Sequence, residues 1–266
     1  MLLAEPPRTP YDLNFQVLGF PVRVHPLFWL VGLLLGFSGG TNGISLIIWF
    51  CALFSSILVH ELGHALMIRR FGRDAHIVLY AMGGLAIEGR PTGGDFGSPW
   101  SFDSYTEFNP RPRSPYEQVL ISAAGPGIQF LLAALVIALV YATGGHVVPT
   151  FLPIPFPIPH LGGELAHNAN LHELVMDLLY INIFWALVNL LPVLPLDGGQ
   201  IAMQLLIQHD SWSGTQRALW LSVFTGGAMA VFSLVVLQQV FTMMLFASLA
   251  VSSYLTLQQI GGRRPW

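Results

Sequence analysis

His60, Glu61 and His64 are the residues of this chain whose types and spacing point most directly to chemistry. Residues four apart on a helix lie on one face, so the imidazoles of His60 and His64 can share one metal ion. Glu61 stands beside them, where a carboxylate in zinc hydrolases of this pattern takes the proton of an activated water. The competing reading is a buried polar cluster hydrogen-bonded to neighbouring helices. The setting weighs against it. The three residues fall in an apolar run from Ile44 to Ile68 that is long enough to cross a bilayer. Ionisable side chains cost roughly 2.5–3.5 kcal/mol each near the centre of a span and less near its ends.

A second stretch offers a third donor. It runs from Asn189 through Pro192 and Pro195 to Asp197, Gly198 and Gly199. Two prolines break a helix there, and the glycine pair lets backbone approach closely. By itself Asp197 reads as a loop carboxylate in an Asp-Gly turn. A catalytic zinc, however, takes three protein ligands and leaves one position open. His60, His64 and Asp197 would supply two imidazoles and a carboxylate from similar membrane depth.

The elements that must hold these groups are membrane spans. The chain has 266 residues, 53% of them hydrophobic and only 9% charged, with a mean hydropathy of +0.61. That composition describes an all-α polytopic membrane protein and leaves no basic patch for nucleic acid. Its eleven basic residues are all arginines. About six transmembrane helices are expected: a short one over 26–37, the run ending at Arg69 and Arg70, one from Ser114-Pro115 to about Thr143, one over 171–191, and a C-terminal pair over 214–258. The last two turn at Gln238-Gln239, although no Gly or Pro marks a turn. Six spans place every arginine on one side, which the positive-inside rule makes cytoplasmic. Both termini would then be cytoplasmic and the protein multi-pass in the plasma membrane.

Between the spans, residues 13–25 form a short strand or lie along the surface. Residues 75–88 carry Gly83-Gly84 between two β-rich runs and read as a small re-entrant hairpin, whose backbone must be satisfied by protein or water at membrane depth. Residues 89–115 form a long loop with scattered aromatics, and residues 144–170 a polyproline-like extracytoplasmic linker. Ser114, Pro115 and Glu117 make a capping box. Ala123 to Gly127 permit close helix approach. Asn182 and Asn189, seven apart, share a face toward the bundle. Cys51 is expected to be a packing residue. His146, His160, His167 and His172 cluster in sequence, and solvated loop histidines are favoured there over a second metal site. The whole of 1–266 is read as one membrane-embedded domain with its core over 20–200.

The helix motif together with the downstream run from Asn189 to Gly199 resembles the site-2 protease family, intramembrane zinc metalloproteases, in a short form without PDZ or CBS domain. Gly83-Gly84 resembles the family's re-entrant hairpin, and Ala124-Gly125-Pro126 also matches. Gln129 departs from it, standing where many members have Asn. The resemblance implies one zinc ion held by His60, His64 and Asp197, with Glu61 as general base. Asn189, Gly83 and Gly84 would be substrate-binding. It further implies hydrolysis of peptide bonds of transmembrane substrate proteins near the cytoplasmic face, within a lipid bilayer, under control of an unidentified regulatory membrane protein. The alternative is a non-catalytic membrane zinc-binding scaffold or transporter, against which the presence of Glu61 argues. A prenyl-processing type of zinc protease would need a glutamate as third ligand. Glu164 and Glu173 lie on the wrong side for that by this topology.

Overall fold

The structure is a computed structural model describing residues 5–36, 42–81, 83–89, 113–152, 154–162, 167–211 and 213–261. The aromatic residues expected in the loop over 89–115 lie outside the described residues. The chain divides into two compact units, residues 1–110 with 124–186, and residues 111–123 with 187–266.

The first unit is built on a four-stranded sheet in the order β1-β2-β3-β4. Strands β1 (Leu13–Val17) and β2 (Phe20–Val24) form an antiparallel hairpin. Its two-residue turn, Leu18-Gly19, has positive φ at both positions, the form whose twist suits paired strands. β2 then pairs in parallel with β3 (Ala75–Tyr80), and β3 pairs antiparallel with β4 (Gly83–Glu88). Parallel neighbours need a crossover. Here it consists of α1 (Pro26–Gly36) and α2 (Gly43–Arg70), which lays the histidine-bearing helix against β3 and β4. Val22, Val24, Ile77, Val78 and Leu79 of the central strands are buried, as are Ala52, Leu53, Ile57, Ala65 and Ile68 of α2.

The sequence reading of 13–25 as one strand or surface segment therefore becomes two strands. The Gly pair is not the hairpin tip: Gly83 and Gly84 open β4 opposite Tyr80 and Leu79. At its foot, α2 is anchored by Arg69, whose Nη1 donates to Leu18 O at 2.8 Å and whose guanidinium lies 4.2 Å from the centre of the Phe20 ring. At its head, Asn42 Oδ1 accepts from Ser45 N. Cys51 is exposed on this helix, not packed.

Helix α3 (Pro115–Ala142) begins with the expected reciprocal cap, Glu117 N donating to Ser114 Oγ and Ser114 N to Glu117 Oε2. After it, β5 (His146–Leu152) and β6 (Ile154–His160) form an antiparallel hairpin, where a polyproline-like linker was expected. Prolines 155, 157 and 159 are two apart, so their missing N–H groups all face one edge and the other edge stays free to pair. Helix α4 (Ala169–Tyr180) continues through a π-helical turn, Ile181–Trp185, into α5 (Ala186–Asn189).

The second unit holds α6 (Asp197–His209), α7 (Gly214–Val235) and α8 (Val240–Gly261). Buried Ala218, Ser222, Gly226 and Ala230 stand at the four-residue spacing that brings helices close in a membrane. The turn between α7 and α8 is made without glycine. Gln238 takes a left-handed φ of 54°, and Gln239 N donates to Ser233 O. Among the described residues five helices are long and apolar enough to cross a membrane. The sixth expected span, Pro26–Gly36, has 11 residues. At about 1.5 Å per residue it falls well short of the hydrocarbon thickness. The chain is a multi-pass membrane protein.

Candidate metal centre

One face of α2 carries Ser56, His60 and His64 at successive four-residue steps, all buried, with Glu61 buried beside them. A helix long enough to cross a bilayer presents these groups in its C-terminal half, on a face that packs on other protein. The two imidazoles stand edge to face, 4.7 Å between centroids, with their Nε2 atoms 3.0 Å apart.

The tautomer of His60 follows from its other nitrogen. Nδ1 lies 2.8 Å from Oε1 of Gln129, an atom that only accepts, so Nδ1 carries the proton and donates. In the neutral ring Nε2 then keeps its lone pair, directed at His64. Gln129 is fully buried on α3, and its Nε2 has no hydrogen-bond partner.

The neighbouring backbone closes tightly around these groups. A Cβ at Gly125 would overlap His64 Nε2 and His60 Cε1, so α3 can pass the imidazoles only with glycine there. A Cβ at Gly63 would meet Ala124 O at 2.6 Å, which fixes the same close approach from the other helix. On the strand side, a Cβ at Gly84 would overlap Cγ, Cδ and Oε1 of Glu61. Gly84 is thus placed against the carboxylate of the motif. A Cβ at Gly83 would touch the Trp185 ring at 3.4 Å.

Asp197 is the first residue of α6, where the positive end of the helix dipole favours a carboxylate. The two glycines after it are required by the chain that precedes it. A Cβ at Gly198 would overlap Leu190 O, and one at Gly199 the backbone of Val193 and Leu194. One ligand atom from each of His60, His64 and Asp197 lies within 4.8 Å of the other two, and among the described residues no other His, Cys, Asp or Glu group does this. Two imidazole nitrogens and a carboxylate oxygen form a donor set that suits a borderline divalent ion such as zinc.

Asn182 is fully buried. Its Nδ2 donates to Ser56 Oγ and to Leu178 O, both at 2.8 Å. Asn189, at the end of α5, is also buried. The remaining histidines behave differently. His146 and His160 sit opposite each other on β5 and β6 with rings stacked at 4.9 Å and 19°, both exposed. Stacked faces do not converge lone pairs.

Sequence reasoning missed Gln129 as the partner of His60 and Ser56 as the partner of Asn182. The first carries a readable signal: a polar amide in an apolar helix, little more than one turn past Ala124-Gly125. The π-helical turn carries none.

A model of peptidase family M50 matches residues 48–233. A protein of Methanocaldococcus jannaschii described as a zinc metalloprotease is 25% identical over 195 residues, covering 72% of this chain and 44% of that protein. One of Synechocystis sp. described as a putative zinc metalloprotease is 28% identical over 206 residues, covering 73% and 43%. The chain thus spans less than half the length of these curated relatives. Among solved structures, a site-2 protease from Methanocaldococcus jannaschii superposes with a TM-score of 0.55 over 93% of this chain and 95% of its own, at 20% identity. That likeness is one of fold.

Proposed function

The chain belongs to peptidase family M50, and from that premise we propose that it is an intramembrane zinc metalloprotease. In this reading it hydrolyses peptide bonds of transmembrane substrate proteins near the cytoplasmic membrane face. The observation that carries the reading is the convergence of His60, His64 and Asp197 next to Glu61. His60, His64 and Asp197 would hold one zinc ion, and Gln129 would orient His60 toward it. Zinc in that place supplies Lewis acidity, lowering the pKa of water toward about 7 and polarising a scissile carbonyl.

The rest is done by the chain. Glu61, packed under Gly84, accepts the proton of the attacking water and returns it to the leaving amine. A helix hides its carbonyls in its own hydrogen bonds, so a substrate must unwind before cleavage. β4 is an edge strand, and its outer side is free of sheet partners among the described residues. The unwound segment adds there as a further strand, with Gly83 and Gly84 letting it lie close to Glu61. Asn189 contacts the substrate from the end of α5. The chain acts as a single membrane-embedded domain in the plasma membrane, with cytoplasmic termini and a regulatory membrane protein as partner.

The deciding experiment is Glu61→Gln in the purified protein, with zinc content and cleavage of a membrane-spanning substrate measured together. Cleavage falls by about 10²–10⁴-fold while zinc stays stoichiometric. Undiminished cleavage, or a wild-type protein that holds no zinc, refutes the reading. Prolines placed along the outer edge of β4 should stop cleavage and leave zinc bound.

A further inference from the structure

Ser222 on α7 and Ser253 on α8 are 0% and 4% exposed, on helices otherwise lined by apolar and small side chains. A hydroxyl buried in such a place needs a partner. The two Oγ atoms share a hydrogen bond of 2.8 Å. Ser222 Oγ accepts a second one, from the N–H of Leu194, also at 2.8 Å. The serines are brought together by the small-residue face of α7, which Ser222 shares with Ala218, Gly226 and Ala230. A Cβ at Gly226 would stand 3.2 Å from Ala250 Cβ, so a larger residue there would press on α8.

Leu194 lies in the bend that delivers Asp197. That bend has few donors of its own, because Pro192 and Pro195 have no N–H. Val193 N donates to Leu191 O, and Leu196 N to Val193 O. The N–H of Leu194 is the donor that leaves the bend, and Ser222 receives it. The bend in turn lies directly on the first turn of α6, where Gly199 makes room for Val193 and Leu194 and Gly198 for Leu190. A shift of Leu194 therefore displaces the helix start on which Asp197 sits.

We propose that Ser222, backed by Ser253, is a positioning residue for the Asp197 carboxylate, so that the C-terminal helix pair sets the geometry of the third metal ligand. The inference rests on the reading of Asp197 as a ligand. It reaches past it, because Ser253 lies beyond residue 233, where the match to the family ends.

The test uses the full chain, with zinc affinity measured by chelator competition and thermal unfolding followed in parallel. Ser222→Ala lowers zinc affinity about tenfold, the lower end of what losing an outer partner of a ligand costs. Ser253→Ala lowers it less. The double variant is no weaker than Ser222→Ala alone, since Ser253 acts only through Ser222. Wild-type zinc affinity in Ser222→Ala, accompanied only by a lower unfolding temperature, makes the pair structural and overturns the proposal. Where Ser222→Ala does not fold, Ser253→Ala decides by the same criterion. Asp197→Asn separates the two levels. If it loses zinc and the serine variants do not, the positioning role alone fails. If it holds zinc as tightly as wild type, the ligand reading fails and takes this proposal with it.

Discussion

Two clusters of buried ionisable groups among the described residues are built in opposite ways. Near the N-terminus, Arg23 is buried with its guanidinium shared between Asp12 Oδ2 at 2.9 Å, Glu5 Oε1 at 2.8 Å and the carbonyl of Pro6. Thr9 adds two further hydrogen bonds to Asp12. Each carboxylate there meets a cation of the chain, so desolvation is offset locally and the segment is tied to β2. In the second cluster the groups are ones that can each offer a lone pair: the imidazoles of His60 and His64 on α2, with Nε2 atoms 3.0 Å apart, and the Asp197 carboxylate at the start of α6. Complementary charge marks a cluster whose work is stability. Convergent lone pairs mark one whose work needs an ion from outside.

The sharpest way to break this contrast is to remove one group from each cluster and measure both metal content and stability. His64→Ala takes zinc from stoichiometric to trace content while the helical fold persists. Arg23→Met does the reverse. It leaves the buried Asp12 carboxylate, and the partly exposed Glu5, without that guanidinium and costs about 3 kcal/mol of stability. Zinc per folded molecule stays at the wild-type level. If Arg23→Met empties the metal site without unfolding the protein, the two clusters are not separate in function.

Gln129 sharpens the contrast from within the metal cluster. It orients His60 through Oε1 and keeps Nε2 buried without a partner. Gln129→Leu removes both at similar volume. Zinc affinity should fall about tenfold because His60 loses its outer partner. Stability should hold or rise, because an unsatisfied buried donor is gone. A parallel loss of stability and affinity would show Gln129 to be part of the core packing and no more.

The chemistry was more legible in the sequence than the scaffold beneath it. His60, Glu61 and His64 declare themselves through helical spacing in an apolar run, and Ser114 with Glu117 through a local cap. Both signals are contained within a few residues. The parallel pairing of Val22 with Ile77 joins segments separated by two helices, and no local pattern encodes it. The turn at Gln238 is equally silent, because a left-handed glutamine is held by what α7 and α8 gain in packing, not by its own preference. The run over 26–37 is apolar enough for a span, and its described helix, Pro26–Gly36, has 11 residues. Both its apolar character and its shortness were legible in the sequence. Asp197 stands between these cases: its turn chemistry is visible, yet its nearness to His60 and His64 required the fold.

The smallest expected effect lies again in the Arg23 cluster and is read by pH. Burial raises the pKa of Asp12, but hydrogen bonds from Thr9 and Arg23 and the charge of Arg23 outweigh it and hold the carboxyl below 3.8. Between that lowered value and 3.8 the unfolded chain binds more protons than the folded one, so stability falls as pH drops through this window. Above 3.8 the contribution is complete. Asp12→Asn cannot titrate and loses the charged partner at every pH. Its deficit against wild type, followed by thermal unfolding, should be constant above 3.8 and shrink below it. A deficit that persists unchanged in acid would mean that Asp12 stabilises this segment by shape and neutral hydrogen bonds. The charge complementarity that sets this cluster apart from the metal-facing one would then be incidental.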